Sequence, residues 1–79
     1  MTLGERIVRP DFAKNDEVRE LKRQFVILID KMDTLQRDNW IQGDMGEERE
    51  RKSDISRCAV KAMEALEIAS MFAVKALTA

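Results

Sequence analysis

Apolar residues recur at alternating three- and four-residue spacing through the first half of the chain, and this pattern constrains the fold more than any other feature. The positions are Val18, Leu21, Phe25, Leu28, Met32 and Leu35. Such spacing is typical of a helix that buries one seam against a partner helix. Val26, Ile27 and Ile29 lie off that seam, so the middle of the helix is apolar on nearly every side. Two helices of one chain cannot cover it, which favours an oligomer.

Polar residues mark the ends of this first long helix, which the sequence places at 15–40. Asn15 is suited to cap its N-terminus because the side chain can accept a backbone hydrogen bond, and the acidic Asp16 favours the first turn. Turn-forming residues follow Arg37 and end the helix.

A second long helix is predicted over 44–78, with Asp44 as its cap and Glu47 three residues later in a capping-box arrangement. Residues 1–14 form an arm or a short helix, in which Pro10 suits a turn or the first position of a helical stretch through Lys14. The predicted fold is therefore all-α, with a short N-terminal arm and two long antiparallel helices in a single domain. Since a chain of this size buries only about 60% of its unfolded surface, we expect a compact symmetric homo-oligomer.

Charge and composition argue against several classes of function. The formal net charge is -1, and acidic and basic residues are spread evenly along the chain, whereas binding of DNA, RNA or an anionic membrane requires clustered Lys and Arg. The chain has no histidine and a single cysteine, Cys58, so we expect no metal, no cofactor and no enzyme. The alternative of a nuclease built on acids such as Glu64 and Glu67 lacks a histidine to assist. The apolar run 68–79 is shorter than the roughly 20 residues that span a membrane.

The second helix has two distinct faces. One narrow sector is mostly alanine and is predicted to approach a partner helix closely; it contains Ile55, Ala59, Ala62, Leu66, Ala69 and Ala73. The opposite sector mixes cations with apolar side chains; it contains Arg57, Lys61, Glu64, Ile68, Met71, Phe72 and Lys75. Such a mixed stripe suits a pocket wall or a subunit contact. Alternatively, Lys75 reaches solvent at the helix end, where a cation complements the helix dipole.

The same residues resemble a known family. Ser56-Arg57, Leu66-Glu67 and the run ASMFAVKALT over 69–78 are similar to the C-terminal signature of the small phage anti-CBASS proteins, the cyclic-oligonucleotide sponges. That signature is approximately S-R, a helical spacer, then L-E-x-A-x-M-[WF]-A-V-K-x-[IL]-T, and the match needs no gap. Upstream, 18–30 resembles the first long helix of the family. The resemblance covers about half of the chain.

The resemblance implies a binding protein of the host bacterial cytoplasm. Family members form helical hexamers, as dimers of trimers, that sequester cyclic dinucleotides and, at separate sites, cyclic trinucleotides, and so block CBASS effectors. Carried over to this chain, it implies that Lys22 contacts a ligand phosphate and that Arg57 is a second candidate, with Lys61 on the same stripe. Met71, Phe72 and Lys75 belong to the signature, either as ligand contacts or as oligomer contacts.

One position departs from the family, which places an aromatic residue, often Tyr, about fifteen residues before the equivalent of Lys22. Here that position is near Ile7, and the chain has no Tyr. Phe12 is the candidate substitute for stacking on a base, or else one pocket is weakened. The alternative to a sponge is a structural or regulatory helical oligomer, an adaptor with no nucleotide ligand.

Overall fold

The computed structural model describes residues 1–40 and 45–79, which form three α-helices and no strand. They are α1 (Leu3–Val8), α2 (Asp16–Asp38) and α3 (Gly46–Thr78). The two long helices are antiparallel, because Leu21 near the start of α2 and Ala73 near the end of α3 line one groove. The all-α prediction is confirmed.

Helix α2 begins and ends close to the predicted 15–40. The Asn15 side chain accepts a hydrogen bond from the backbone N–H of Val18 at 2.9 Å and so caps the helix, as the sequence predicted. Asn39 follows the last helical residue, and its backbone N–H donates to carbonyl groups of the last turn.

Helix α3 follows Met45, whose side chain makes no capping hydrogen bond. The predicted cap Asp44 and the predicted turn around Gly43 lie outside the described residues. Gly46, the first helical residue, has φ of 66°, a left-handed conformation that glycine adopts without steric cost. The helix ends at Thr78, where the prediction placed its end.

The N-terminal arm is helical before Pro10 and not after it. Thr2 Oγ1 accepts from the Glu5 backbone N–H at 3.2 Å, and Glu5 Oε1 accepts from the Thr2 backbone N–H at 3.1 Å. This reciprocal capping box starts α1 even though the segment is too short for an apolar period. Of the two alternatives at Pro10, the turn is confirmed and the helical stretch through Lys14 is wrong, since residues 10–14 form a turn and bends.

Helix α1 approaches α2 unusually closely, at a glycine. The Gly4 backbone N–H donates to Asp30 Oδ1 at 2.8 Å, and a Cβ at Gly4 would lie only 2.6 Å from the Val26 carbonyl oxygen. Only glycine allows this contact. We call the side of the α2–α3 layer on which α1 packs the front face, and the opposite side the back face.

The core lies where the three helices meet. Val8, Ile29 and Met63 are buried together, one from each helix. Partly buried residues pack around them: Leu3, Ile7, Phe25, Val26, Met32, Val60 and Leu66.

Within the single chain, the buried positions differ from the predicted seams in two places. Ile29, placed off the seam of α2, is fully buried, whereas Leu28 and Leu35, placed on it, are 45% and 40% exposed. In α3, Ala69 is exposed, while Met63 and Ser70 take the buried positions. The reason is α1, which docks on the front face and shifts the buried sector of both long helices toward itself. The buried hydroxyl of Ser70 donates to the Glu67 carbonyl at 2.7 Å, so it carries no unsatisfied donor.

The molecule is flat and elongated, with extents of 49 × 22 × 12 Å and a radius of gyration of 15.1 Å. A compact domain of this length would have a radius of about 11.6 Å. Much apolar surface therefore stays exposed. Ile27, Ile68, Met71 and Phe72 are each more than half exposed.

Candidate ligand-binding surface

The predicted site residues lie in two groups along the length of the molecule. Ile29 and Met63 meet in the core, which sets the register of the antiparallel helices. With 1.5 Å per residue, Lys22 lies about 20 Å from the level of Arg57 along the helix axis. A single chain therefore does not bring these two cations to one phosphate. Phe12, Met71, Phe72 and Lys75 belong to the end that holds Lys22, and Lys61 to the middle of α3.

Lys22 binds backbone in this structure. Its Nζ donates to the Phe12 carbonyl at 2.6 Å and to the Arg9 carbonyl at 3.3 Å. The ammonium thereby fixes the loop between α1 and α2, and one of its three N–H donors remains for another acceptor. Helix α2 positions the Lys22 side chain beside the loop, because residue 22 lies next to the buried side of the helix that Val18 and Ile29 occupy.

Phe12 is an exposed aromatic ring at this end. Its side chain is 74% exposed, and the Arg9 guanidinium lies 5.9 Å from the ring centroid, within the range of a cation–π contact. The two residues line a cleft together with Met1, Glu5, Arg6 and Asp11. Arg9 has φ of 54°, a left-handed conformation that is rare for a residue with a side chain. The ring is free to stack on a planar group.

Ile7 lies in a different environment. It is half-buried and packs against the core formed by Val8, Ile29 and Met63. Ile7 thus helps to hold α1 on the front face. It lies near the position at which the family that the sequence resembles has an aromatic residue. Phe12, five residues later, has its ring at the surface.

The signature residues near the end of α3 are solvent-exposed. Met71 is 61% and Phe72 is 66% exposed, and Lys75 one turn later is exposed as well. Lys75 and Met71 lie toward the front face, while Phe72 points away from α2. Apolar side chains of this size in water cost free energy, so this surface is suited to contact with another molecule.

Arg57 and Lys61 complete the stripe on α3. Both side chains are exposed. Arg57 forms an ion pair with Asp54, one turn earlier, at 3.0 Å, and both partners are about two-thirds exposed. An exposed pair of this kind contributes little to stability and separates easily when a stronger anion arrives.

The described residues contain no group of three or more Asp, Glu, Cys or His side chains that could hold a metal ion. Across 1–40 and 45–79, none of the helices combines the length and the apolar content that crossing a bilayer requires.

Three residues on the α1 side of the molecule escaped the sequence analysis: Arg6, Arg9 and Asp30. Arg6 and Arg9 project from α1 and its cap, so their position became clear only once α1 was known. The one signal that could have found α1 is the spacing of Thr2 and Glu5, a capping box. Nothing in the sequence indicated that Asp30 would accept from Gly4, because this contact joins residues that are distant in the chain.

Comparison with known proteins leaves the relationship of the chain to any family open. None of the family models matches it, and no match was found among the curated proteins or among the solved structures.

Proposed function

We propose that this chain is a phage anti-defence protein that binds and sequesters cyclic oligonucleotide second messengers without cleaving them. Its ligands are cyclic dinucleotides, such as cyclic GMP-AMP, and cyclic trinucleotides, and its site of action is the cytoplasm of the bacterial host. The working form is a homo-oligomer, a hexamer arranged as a dimer of trimers. Sequestration prevents the messenger from activating CBASS effectors. The proposal rests on the resemblance of the C-terminal signature and of 18–30.

The exposure of the signature carries the proposal. Met71 and Phe72 are large apolar side chains that the fold of a single chain leaves in water, and Lys75 lies beside them. A cyclic dinucleotide presents flat purine faces and two phosphates, so apolar walls with adjacent cations complement both parts. None of these residues has to act as an acid, base or nucleophile.

The separation of the cations supports two kinds of site. Lys22 and Arg57 lie about 20 Å apart along the helices, too far to share one small ligand within a chain. In an oligomer, each cation can meet the corresponding surface of a neighbouring subunit. Separate dinucleotide and trinucleotide pockets at the two levels fit this arrangement.

A second candidate function is the helical adaptor with no nucleotide ligand, and one observation favours it. The Lys22 ammonium already has two backbone acceptors, and Arg57 already has Asp54. If both cations only stabilise the fold, the exposed apolar stripe binds another protein subunit and no nucleotide.

Native mass spectrometry of the purified protein with cyclic GMP-AMP and with cyclic tri-adenylate separates the two candidates. We expect the oligomer to retain at least one ligand with nanomolar affinity, about -12 kcal/mol. Heat denaturation followed by chromatography should recover the intact nucleotide. An oligomer that retains neither ligand rejects the sponge, and a linearised nucleotide would indicate an enzyme.

One variant of the signature, with a matched control, tests whether Lys75 contacts a ligand. Lys75→Ala removes an exposed cation of the signature, and Lys31→Ala removes an exposed lysine of α2 outside the stripe. We expect the first to weaken binding of one ligand class roughly 10-fold or more, the size of one lost charge-assisted hydrogen bond, and the second to leave binding unchanged. Equal effects would mean that charge alone attracts the ligand. Unchanged binding in Lys75→Ala would make this lysine an oligomer contact.

A further inference from the structure

The back face is a largely apolar surface that no described residue covers, with the acidic Glu17 and Glu20 at one end of it. On α2, Leu21, Leu28 and Leu35 recur every seven residues and therefore stay on one side of the helix. Leu28 lies about 160° around the axis from both Val26 and Asp30, which contact α1. The three leucines thus form a ridge on the side away from α1.

Helix α3 supplies a groove on the same face. Seven uncharged residues fall within a sector of about 80°: Ile55, Cys58, Ala62, Ala65, Ala69, Ala73 and Ala76. Leu21 of the ridge lines one groove with Ala73 and Ala76, which places the ridge and the alanine sector side by side; Glu17, Glu20 and Gln24 line the same groove. The charged residues of this part of α3 lie on its other sides.

The exposed area of the whole chain is large enough to include a contact of ordinary size. The chain exposes 5878 Å². A compact folded protein of 9.1 kDa would expose about 4,900 Å². The excess of roughly 1,000 Å² is close to the 800 Å² or so that each partner buries in a standard stable interface.

We infer that the back face is a two-fold contact between two copies of this chain. A two-fold axis parallel to the helices lays the leucine ridge of each copy over the alanine groove of the other, and the pair becomes an antiparallel four-helix bundle. A ridge beside a groove on one surface is self-complementary, and alanines allow the backbones to approach closely. Glu17 and Glu20 lie at one end of this face and leave its centre, around Leu28, apolar, which suits a second copy of the same surface.

The contact deepens the proposed function, which requires an oligomer, by assigning its two-fold interface. It also leaves the front face free for ligands. Pairing through the back face requires no nucleotide, so the two proposals fail separately.

Sedimentation velocity of the full chain at micromolar concentration, without nucleotide, tests the contact. Leu28→Glu places a carboxylate on the ridge and Ala69→Glu places one in the groove, which brings like charges into an apolar contact. We expect each to raise the dissociation constant of the two-fold contact at least 100-fold and to halve the assembled mass, from dimer to monomer or from hexamer to trimer. Circular dichroism should show unchanged helix content.

Ile27→Glu is the matched control. It adjoins Leu28 on α2 and is more exposed, at 57% against 45%, but it points away from α3 and from the back face. We expect it to keep the wild-type mass. A monomeric wild type, an unchanged mass for Leu28→Glu, or an equal loss of mass in the control would overturn the inference, as would any product other than the half-mass species. Nucleotide binding by a monomeric wild type would overturn the contact alone, and a two-fold assembly that binds no nucleotide would overturn only the proposed function.

Discussion

The front and back faces of the helical layer differ in how they are held. On the front face, α1 is fixed by individual contacts, with Gly4 on the α2 backbone, its N–H on Asp30, and the Lys22 ammonium on two loop carbonyls. The back face has leucines and alanines in regular spacing. The specific polar and steric contacts of the front face fix one arrangement of the helices within the monomer. The largely apolar back face adds little to the stability of the monomer and can stabilise a complex with a second molecule.

The comparison also explains why α2 is apolar on so many sides. Its front side packs on α1, its inner side on α3, and its back side carries the leucine ridge. Substitutions on the front and inner sides should therefore lower the free energy of unfolding of the single chain. Substitutions on the back side should instead weaken the association of two chains.

The largest effect is expected in the core. Ile29→Ala removes a fully buried side chain between Val8 and Met63 and should lower the free energy of unfolding by about 2 to 5 kcal/mol, because it leaves a cavity. Ile27→Ala, two residues earlier and more than half exposed, should change it by less than about 0.5 kcal/mol. Urea denaturation of the two variants measures the difference. Similar losses in both would mean that Ile27 is also buried, in an assembly.

Gly4→Ala tests the close approach of α1. Alanine is the better helix former by about 1 kcal/mol, yet its Cβ would meet the Val26 carbonyl, so we expect a net loss of about 1 to 3 kcal/mol. Hydrogen exchange should show faster exchange across residues 3–8. Arg6→Ala, at an exposed position of the same helix, should leave exchange unchanged, and a stabilised Gly4→Ala protein would contradict the contact.

Lys22→Met removes the ammonium and retains most of the apolar stem. Loss of two hydrogen bonds at a half-exposed site should cost about 1 kcal/mol and loosen the loop around Arg9 and Phe12. Melting temperature and hydrogen exchange measure this effect in the absence of any ligand. Wild-type protection of the loop would show that the lysine does not hold it, and a role in phosphate binding would then be its main one.

The smallest effect on the single chain is expected at the back face. Leu35→Gln should change the free energy of unfolding of the dissociated chain by less than about 0.5 kcal/mol, since the side chain is already 40% exposed. The same variant should weaken self-association. Unfolding measured over a range of protein concentrations separates the two quantities. A large loss at the lowest concentration would place Leu35 in the monomer core.

Much of the fold followed from local signals. The spacing from Val18 to Leu35 and the cap at Asn15 predicted α2, and Thr78 ended α3 where expected. Which apolar residues would be buried did not follow, because α2 has apolar side chains on three sides and α1 decides among them. Ile29 and Leu28 are adjacent and equally hydrophobic, yet one is buried and the other exposed.

The sequence predicted which residues form the candidate site, but it did not predict how far apart they lie or what they contact. The stripe of α3 is exposed, as a binding surface requires, but the distance between Lys22 and Arg57 depends on the register of α2 against α3. The backbone acceptors of Lys22 depend on a loop whose path no local pattern specifies.

The sequence by itself determined that the chain is helical, where the long helices run, and that one of them is too apolar for a two-helix monomer. Periodicity and capping act within a few residues, so they can be seen in the chain alone. Only the tertiary structure decided where α1 docks, which sector of each long helix is buried, and which face remains open. Those outcomes depend on contacts such as Gly4 with Asp30, between residues far apart in sequence, and no local pattern encodes them.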